Sequence, residues 1–227
     1  MIACNWNAAR RILCLGAHSD DIEIGCGGTI LSLIESCPDT EFYWLVLTST
    51  PERAREADRS ARAFLRRVPN KTIDVKSFRD GFLPHDGAPV KECFEELKQA
   101  FAPDVIFTHF RHDLHQDHRF ACELTWNTFR NHLIFEYEIP KYDADLRSPN
   151  VFVPLSEPVC RAKVSLLMRC FGTQRSKRWF SEDLFRGLMR LRGVEAASPT
   201  GYAEGFHCRK MLLSAAKGAA ARKRAGA

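Results

Sequence analysis

The chain has 227 residues, of which 45% are apolar and 27% charged, and its formal net charge is +5 at neutral pH. Those proportions are ordinary for a soluble globular protein, and the length suffices to bury a substantial core without covalent staples. Nine cysteines, odd in number and without a C-x-x-C pair, argue against a disulfide framework. No apolar run approaches the roughly 18 residues of a membrane span, and Met1 to Arg11 lacks a signal-peptide core, so a soluble, cytoplasmic protein is expected.

Strand-like runs at Arg11–Ala17, Glu41–Thr48, Thr72–Ser77, Asp104–His109 and Leu133–Glu138 alternate with helical patterns at Ile22–Ser36, Glu52–Arg67, Val90–Phe101 and Gln116–Asn131. Pro38, Pro69 and Pro103 each fall between a helix and the next strand, where a proline stops the helix. The alternation predicts an α/β fold: a Rossmann-like three-layer α/β/α sandwich around a mostly parallel sheet. After Glu138 the pattern changes. Ile139–Ser156 holds three prolines and no periodic run, and amphipathic stretches follow near Glu157–Phe171 and Ser181–Leu191. This part is expected to form a cap beside the sheet's active edge. Without a linker or internal repeat, residues 1–216 read as a single domain, and the basic, aperiodic stretch 217–227 reads as a frayed tail. That tail has no aromatic interleaving and no binding motif, so a nucleic-acid partner is not expected. A homo-oligomer remains compatible with the sequence.

Two short stretches concentrate the chemistry. Gly16 to Gly28 reads GAHSDDIEIGCGG, and His109 to Arg119 reads HFRHDLHQDHR; together they hold five of the eight histidines and four aspartates. Because the apolar run Ile12 to Leu15 stops at Gly16, His18, Asp20 and Asp21 fall on a strand-to-helix turn, where open α/β sheets place their sites. Zinc in a hydrolytic site takes three protein ligands and keeps a position open. His18, Asp21 and His118 can supply the three, leaving Asp20 to act on the attacking water as general base. His115 then faces the substrate, and Asp117 is expected to fix its tautomer and raise its affinity for a proton, so that it steadies an oxyanion or protonates a leaving amine. His109 and His112 exceed the needs of three-ligand chemistry, and His85, His132 and His207 have no acidic cluster around them. Gly25, Gly27 and Gly28 permit close approach of helix, sheet or substrate. An Asp-Asp pair after a strand is commonly only a helix N-cap, but two such clusters at strand ends of one sheet argue for a shared site.

In these features the chain resembles the PIG-L/LmbE-like family of zinc-dependent N-deacetylases. Its AHPDD motif with a following glycine pair is matched by Ala17, His18, Ser19, Asp20, Asp21, Gly27 and Gly28, and its HPDH segment by His115, Gln116, Asp117 and His118. Arg53 to Glu56 resembles an R-x-x-E element, Asp80-Gly81 the family's Asp-Gly, and Arg190 to Gly193 with Tyr202 to Phe206 the RxRG and YAExF elements. The resemblance implies a Rossmann-like fold and a zinc enzyme that removes an acyl group, usually acetyl, from a 2-acylamino sugar of N-acetylglucosamine type. It assigns zinc to His18, Asp21 and His118, the base to Asp20, the acid or oxyanion partner to His115 with Asp117, and substrate contacts to Arg53 and Asp80. Ser19 and Gln116 replace the family's prolines, and Cys170 stands in a segment where relatives tend to carry histidine. Two alternatives accompany this reading. One is an amidase for a larger amide conjugate, which the sequence does not distinguish from a deacetylase. The other is a sugar- or nucleotide-binding module, against which stand the missing G-x-G-x-x-G spacing and the carboxylates where a phosphate would sit.

Overall fold

The computed structural model describes Cys4 and residues 9–213; the basic stretch 217–227 lies outside the described residues. The first half alternates as the sequence predicts: β1 (Arg11–Gly16), α1 (Asp21–Ser36), β2 (Glu41–Thr48), α2 (Pro51–Phe64), β3 (Lys71–Phe78), α3 (Gly87–Ala100), β4 (Val105–His109), α4 (Gln116–Thr128) and β5 (Leu133–Tyr137). These five strands are parallel. β1 is buried on both faces, as its near-continuous apolar sequence requires. Ile12 and Cys14 pack into one core layer with Ile22, Phe64 and Leu167, whereas Leu13 and Leu15 face the opposite layer with Phe94, Ile106 and Leu124.

The chain continues with β6 (Val151–Pro154), α5 (Glu157–Cys170), a 3₁₀ turn at Gly172–Gln174, α6 (Glu182–Glu195) and β7 (Ala203–His207). Ser156 and Ser181 cap the two helices, accepting from the amides of Val159 and Leu184. The sheet order is β3-β2-β1-β4-β5-β7-β6, with β7 antiparallel to β5 and β6 antiparallel to β7. The segment past Glu138 therefore does more than cap the site: it adds two strands to the sheet. β7 was hidden in the sequence because Ala-Glu-Gly-Phe-His is short and carries a buried charge. That charge has a partner set. Glu204 accepts from the amides of Gly28 (2.8 Å) and Thr29 (2.7 Å) inside α1 and from Lys163 Nζ (2.6 Å), and Lys163 also donates to the Ile24 carbonyl.

The strand order reverses at β1, which lies between β2 and β4. Chain leaving the carboxyl ends of β1 and β4 consequently diverges and opens a crevice there, and both histidine-bearing stretches emerge into it. None of the described helices is long and apolar enough to cross a membrane.

Candidate metal and catalytic site

The turn after β1 carries His18, Ser19 and Asp20, and Asp21 opens α1. Asp20 occupies the N-cap position but makes no side-chain cap hydrogen bond, so the bland reading of the Asp pair fails. Asp21 Oδ2 instead accepts from the His18 amide at 2.6 Å, which curls the turn and brings His18 Nδ1 to 3.2 Å from the same oxygen. From the far stretch, His118 Nε2 lies 3.0 Å from His18 Nδ1 and 3.5 Å from Asp21 Oδ1. His18, Asp21 and His118, 100 residues apart in sequence at the extremes, thus meet in one buried cluster.

The donor chemistry fits a divalent cation. His118 Nδ1 is hydrogen-bonded to Asp113 Oδ2 at 2.9 Å; in the neutral tautomer this leaves the Nε2 lone pair facing His18 and Asp21, the arrangement in which a second carboxylate orients a metal-ligating imidazole. Two imidazole nitrogens and a carboxylate packed this closely need a shared positive charge. Without a metal, protons supply it. Burial lowers the affinity of His18 and His118 for a proton, but Asp21 acts on both, Asp117 and Asp80 on His18 and Asp113 on His118, and both pKa values end above the ordinary histidine range. Asp113 itself, though burial opposes it, is held well below the usual carboxylate range by His118 and Lys141.

Donor atoms close enough to share an ion form three overlapping groups among the described residues: His18, His115 and His118; Asp21, His109 and His118; and His18, Asp80 and Asp117. His109 was the surprise. Surplus to three-ligand chemistry, it is nonetheless fully buried, its ring stacks on that of His118 at 3.9 Å, and its Nε2 lies 3.2 Å from Asp21 Oδ2. That nitrogen accepts the Ala17 amide at 2.9 Å, so its lone pair is already engaged. Burial and the neighbouring His118 lower its pKa to about 4, and we read it as a neutral wall of the site. Its place as the last residue of β4 was the available signal. His112 is exposed and accepts from its neighbour Arg111.

Asp20 faces the cleft differently. Its Oδ1 takes Arg53 Nη2 at 3.0 Å, and its Oδ2 is buried without a hydrogen-bond partner. Burial raises its pKa, against the lowering pull of Arg53. Arg53 sits in the first turn of α2, where Thr50 caps the helix, and its second nitrogen reaches Asp80 Oδ2 at 3.3 Å. Asp80 Oδ1 is 3.1 Å from His18 Nε2, and that contact, against some burial, lowers the Asp80 pKa to about 2. The two residues assigned to substrate contact are therefore also tied to Asp20 and His18.

His115 and Asp117 meet in another way than expected. The Asp117 carboxylate accepts from the amides of Gly81 (2.7 Å) and Leu83 (3.1 Å) and lies 3.4 Å from His18 Nε2; Gly81 has φ +80°, a conformation that suits glycine. It is the Asp117 backbone amide that reaches His115, donating to Nδ1 at 3.3 Å. An Nδ1 that accepts leaves the proton on Nε2. Burial, then the charges of His118 and His18, outweigh Asp117 and lower the His115 pKa, so the expected support for an imidazolium gives way to a neutral Nε2–H donor.

The glycines of α1 face away from this chemistry. A Cβ on Gly25 would sit 2.2 Å from Tyr137 Cδ2, on Gly27 2.8 Å from Phe64 Cε1, and on Gly28 2.6 Å from Leu155 Cδ1 and 2.9 Å from Glu204 Oε1. They admit neighbouring helix and sheet, not substrate. Cys170 is packed in the core, 1% exposed. His18, Asp20, Asp21, Arg53, Asp80, His115 and His118 line a cleft together with Ile139, Lys141, Tyr142, Asp143, Gln174, Lys177 and Trp179. Lys141 also reaches Asp113 at 3.0 Å, linking this rim to His118.

Comparison with known proteins adds two kinds of likeness. The model of the family described as PIG-L, GlcNAc-PI de-N-acetylase, matches residues 13–129. Among solved structures, a conserved protein from Thermus thermophilus is 21% identical, with TM-score 0.71 over 89% of this chain and 96% of its own. The N,N'-diacetylchitobiose deacetylase of Pyrococcus horikoshii is 22% identical, with TM-score 0.65 over 88% and 84%. GalB, a 4-carboxy-2-hydroxymuconate hydratase of Pseudomonas putida, is 16% identical, with TM-score 0.72 over 92% and 100%. A hydratase and a deacetylase share this architecture, so the fold alone selects no reaction.

Proposed function

Because the chain belongs to the GlcNAc-PI de-N-acetylase (PIG-L) family, we propose that it is a zinc-dependent deacetylase that frees the 2-amino group of an N-acetylglucosamine-type substrate. The observation that carries this reading is the position of Asp20. Its unpartnered Oδ2 adjoins a buried cluster of two imidazoles and one carboxylate, so a base and a set of metal donors face one cleft.

In this reading His18, Asp21 and His118 hold the ion. Zinc, when bound, supplies Lewis acidity that polarises the acyl carbonyl and acidifies the attacking water. Asp20 takes the water's proton on Oδ2 while Arg53 holds Oδ1; its raised pKa brings it nearer to neutral pH, which favours a general base. His115, neutral and protonated at Nε2, donates to the oxyanion of the tetrahedral intermediate. The proton held by Asp20 is then available to the departing amine. Asp117 positions the Gly81 turn and thereby Asp80, and Arg53 and Asp80 meet the sugar. Residues 1–216 act as one unit on a small-molecule acetylated amino sugar or its conjugate in the cytoplasm.

The test is metal analysis of the purified protein with acetate release from N-acetylglucosamine derivatives. About one zinc per chain and metal-dependent acetate release are expected. A zinc-loaded protein that releases no acetate from any of them sinks the reading. Release of a larger acyl or amide fragment instead selects the amidase.

A further inference from the structure

The motif R-x-x-E in α2 has a second half to which the chemistry above gives no role. Glu56 lies one helical turn after Arg53 and is buried. Its two carboxylate oxygens hold the 3₁₀ turn that follows α5: Oε1 accepts from the Thr173 amide at 3.0 Å and Oε2 from the Thr173 hydroxyl at 2.6 Å. Arg59, a further turn along α2, donates to the carbonyl of Cys170 at the end of α5. One stripe of α2 thus holds both Asp20, through Arg53, and the 3₁₀ turn that carries Gln174.

That network dictates how the next residue is oriented. The Thr173 hydroxyl spends its only proton on Glu56, so toward Gln174 it can only accept. Gln174 satisfies it with Nε2 at 3.0 Å. Its carbonyl oxygen Oε1 is then left over, buried and without a hydrogen-bond partner, on a side chain that is 3% exposed and lines the cleft. An orphaned buried acceptor is costly and calls for a donor. Arg53 is already held against Asp20 and Asp80, and a ligand in the cleft can supply the missing donor.

We propose that Gln174 is a substrate-recognition residue whose Oε1 accepts a hydrogen bond from a hydroxyl of the sugar, and that Glu56 is the positioning residue that sets it. This rests on the deacetylase reading and deepens it. The acceptor's polarity is fixed by Glu56, so it rewards a hydroxyl donor on the ligand and discriminates against analogues that lack it.

The experiment uses zinc-loaded protein, the methyl glycoside of N-acetylglucosamine, and analogues of it lacking one ring hydroxyl at a time. Acetate release and equilibrium binding are measured for wild type, Gln174→Met and Glu56→Gln. Gln174→Met should raise KM and Kd about three- to tenfold for the parent glycoside, with kcat within about twofold. For one analogue the difference between wild type and variant should vanish, because the bond is already missing. Glu56→Gln, which gives Thr173 another donor and frees Gln174 to flip, should show the same analogue dependence with a smaller amplitude. Equal constants for wild type and Gln174→Met overturn the inference, and so does a penalty that is the same for every analogue, which would mark a packing role. If the wild type binds the glycoside without cleaving it, the deacetylase reading fails and the Kd comparison still judges Gln174. If it neither binds nor cleaves, both fall.

Discussion

At the scale of single residues, adjacent carboxylates are given opposite tasks by what their oxygens touch. Asp21 is spent on His18 and His118, whereas Asp20 keeps one oxygen free. Replacing His18 or His118 with alanine should abolish zinc binding, read by metal content; full occupancy in either variant would refute the ligand assignment. Asp20→Asn should retain zinc and lower kcat by about a hundredfold to ten-thousandfold, since an amide cannot accept the proton. Arg53 provides a finer check. A base works deprotonated, so the rate falls as pH drops through its pKa, and Arg53 is what lowers that pKa. Arg53→Gln should therefore move the acid limb of the kcat profile to higher pH, and an unmoved limb would mean that another group is the base.

At the scale of elements, α1 is the member around which the site is organised, and its glycines are best understood from outside the helix. Gly25 lets the ring of Tyr137 lie against α1, and the Tyr137 hydroxyl donates to the Leu15 carbonyl at 2.6 Å and stands 3.2 Å from His109 Nε2. Gly25→Ala should cost about 1–3 kcal/mol of stability by overpacking and weaken zinc binding, as measured by denaturant midpoint and metal titration. Gly28 admits Glu204. Glu204→Ala leaves Lys163 buried without its counter-charge, and breaking such a pair costs about 3–5 kcal/mol. The double variant Lys163→Met, Glu204→Leu should be less destabilised than the sum of the single changes, because no uncompensated charge remains; strict additivity in a double-mutant cycle would deny the coupling.

At the scale of the whole molecule, the proposed zinc joins the first strand-to-helix turn to the start of α4, and a ligand that binds only the folded state stabilises it by mass action. At a thousandfold excess over Kd the gain is about 4 kcal/mol, or roughly 8–16 °C in Tm for a chain of this size. The sign of its pH dependence follows from the raised pKa values of His18 and His118. In the zinc-free protein their contribution to stability is complete below the ordinary histidine pKa and fades as pH rises through the folded values. Zinc must displace those protons, so its stabilising shift should be larger near about pH 8 than near about pH 6, with proton release on binding. Calorimetry with and without zinc at both pH values measures this, and a shift of equal size at the two would be inconsistent with protonated ligands in the free protein.

The alternation of apolar runs with helical periods determined the parallel half of the fold, because a strand buried on both faces and a helix with one buried stripe leave distinct patterns in the residues themselves. The same local reading placed His18, Asp20 and Asp21 on the turn after the first strand, since glycine and the end of an apolar run mark where a strand stops, and set His115 and His118 beyond the end of another strand. Tertiary structure decided the rest, for reasons of distance. β7 is a strand because Glu204 finds amide donors 176 residues away in α1, and no local pattern announces such a partner. His109 is a buried wall because Ala17 takes its lone pair, and Asp113 matters because His118 turns toward it. His115 is neutral because a backbone amide, not the Asp117 carboxylate, meets its Nδ1. Gln174, on the lining of the cleft, keeps a buried oxygen without a partner because Glu56, 117 residues before its neighbour Thr173, takes the one proton that could have met it. Spacing along the chain carries the period of a helix or a strand, but the direction of a hydrogen bond depends on which donor has already been used, and that is settled only when distant segments pack.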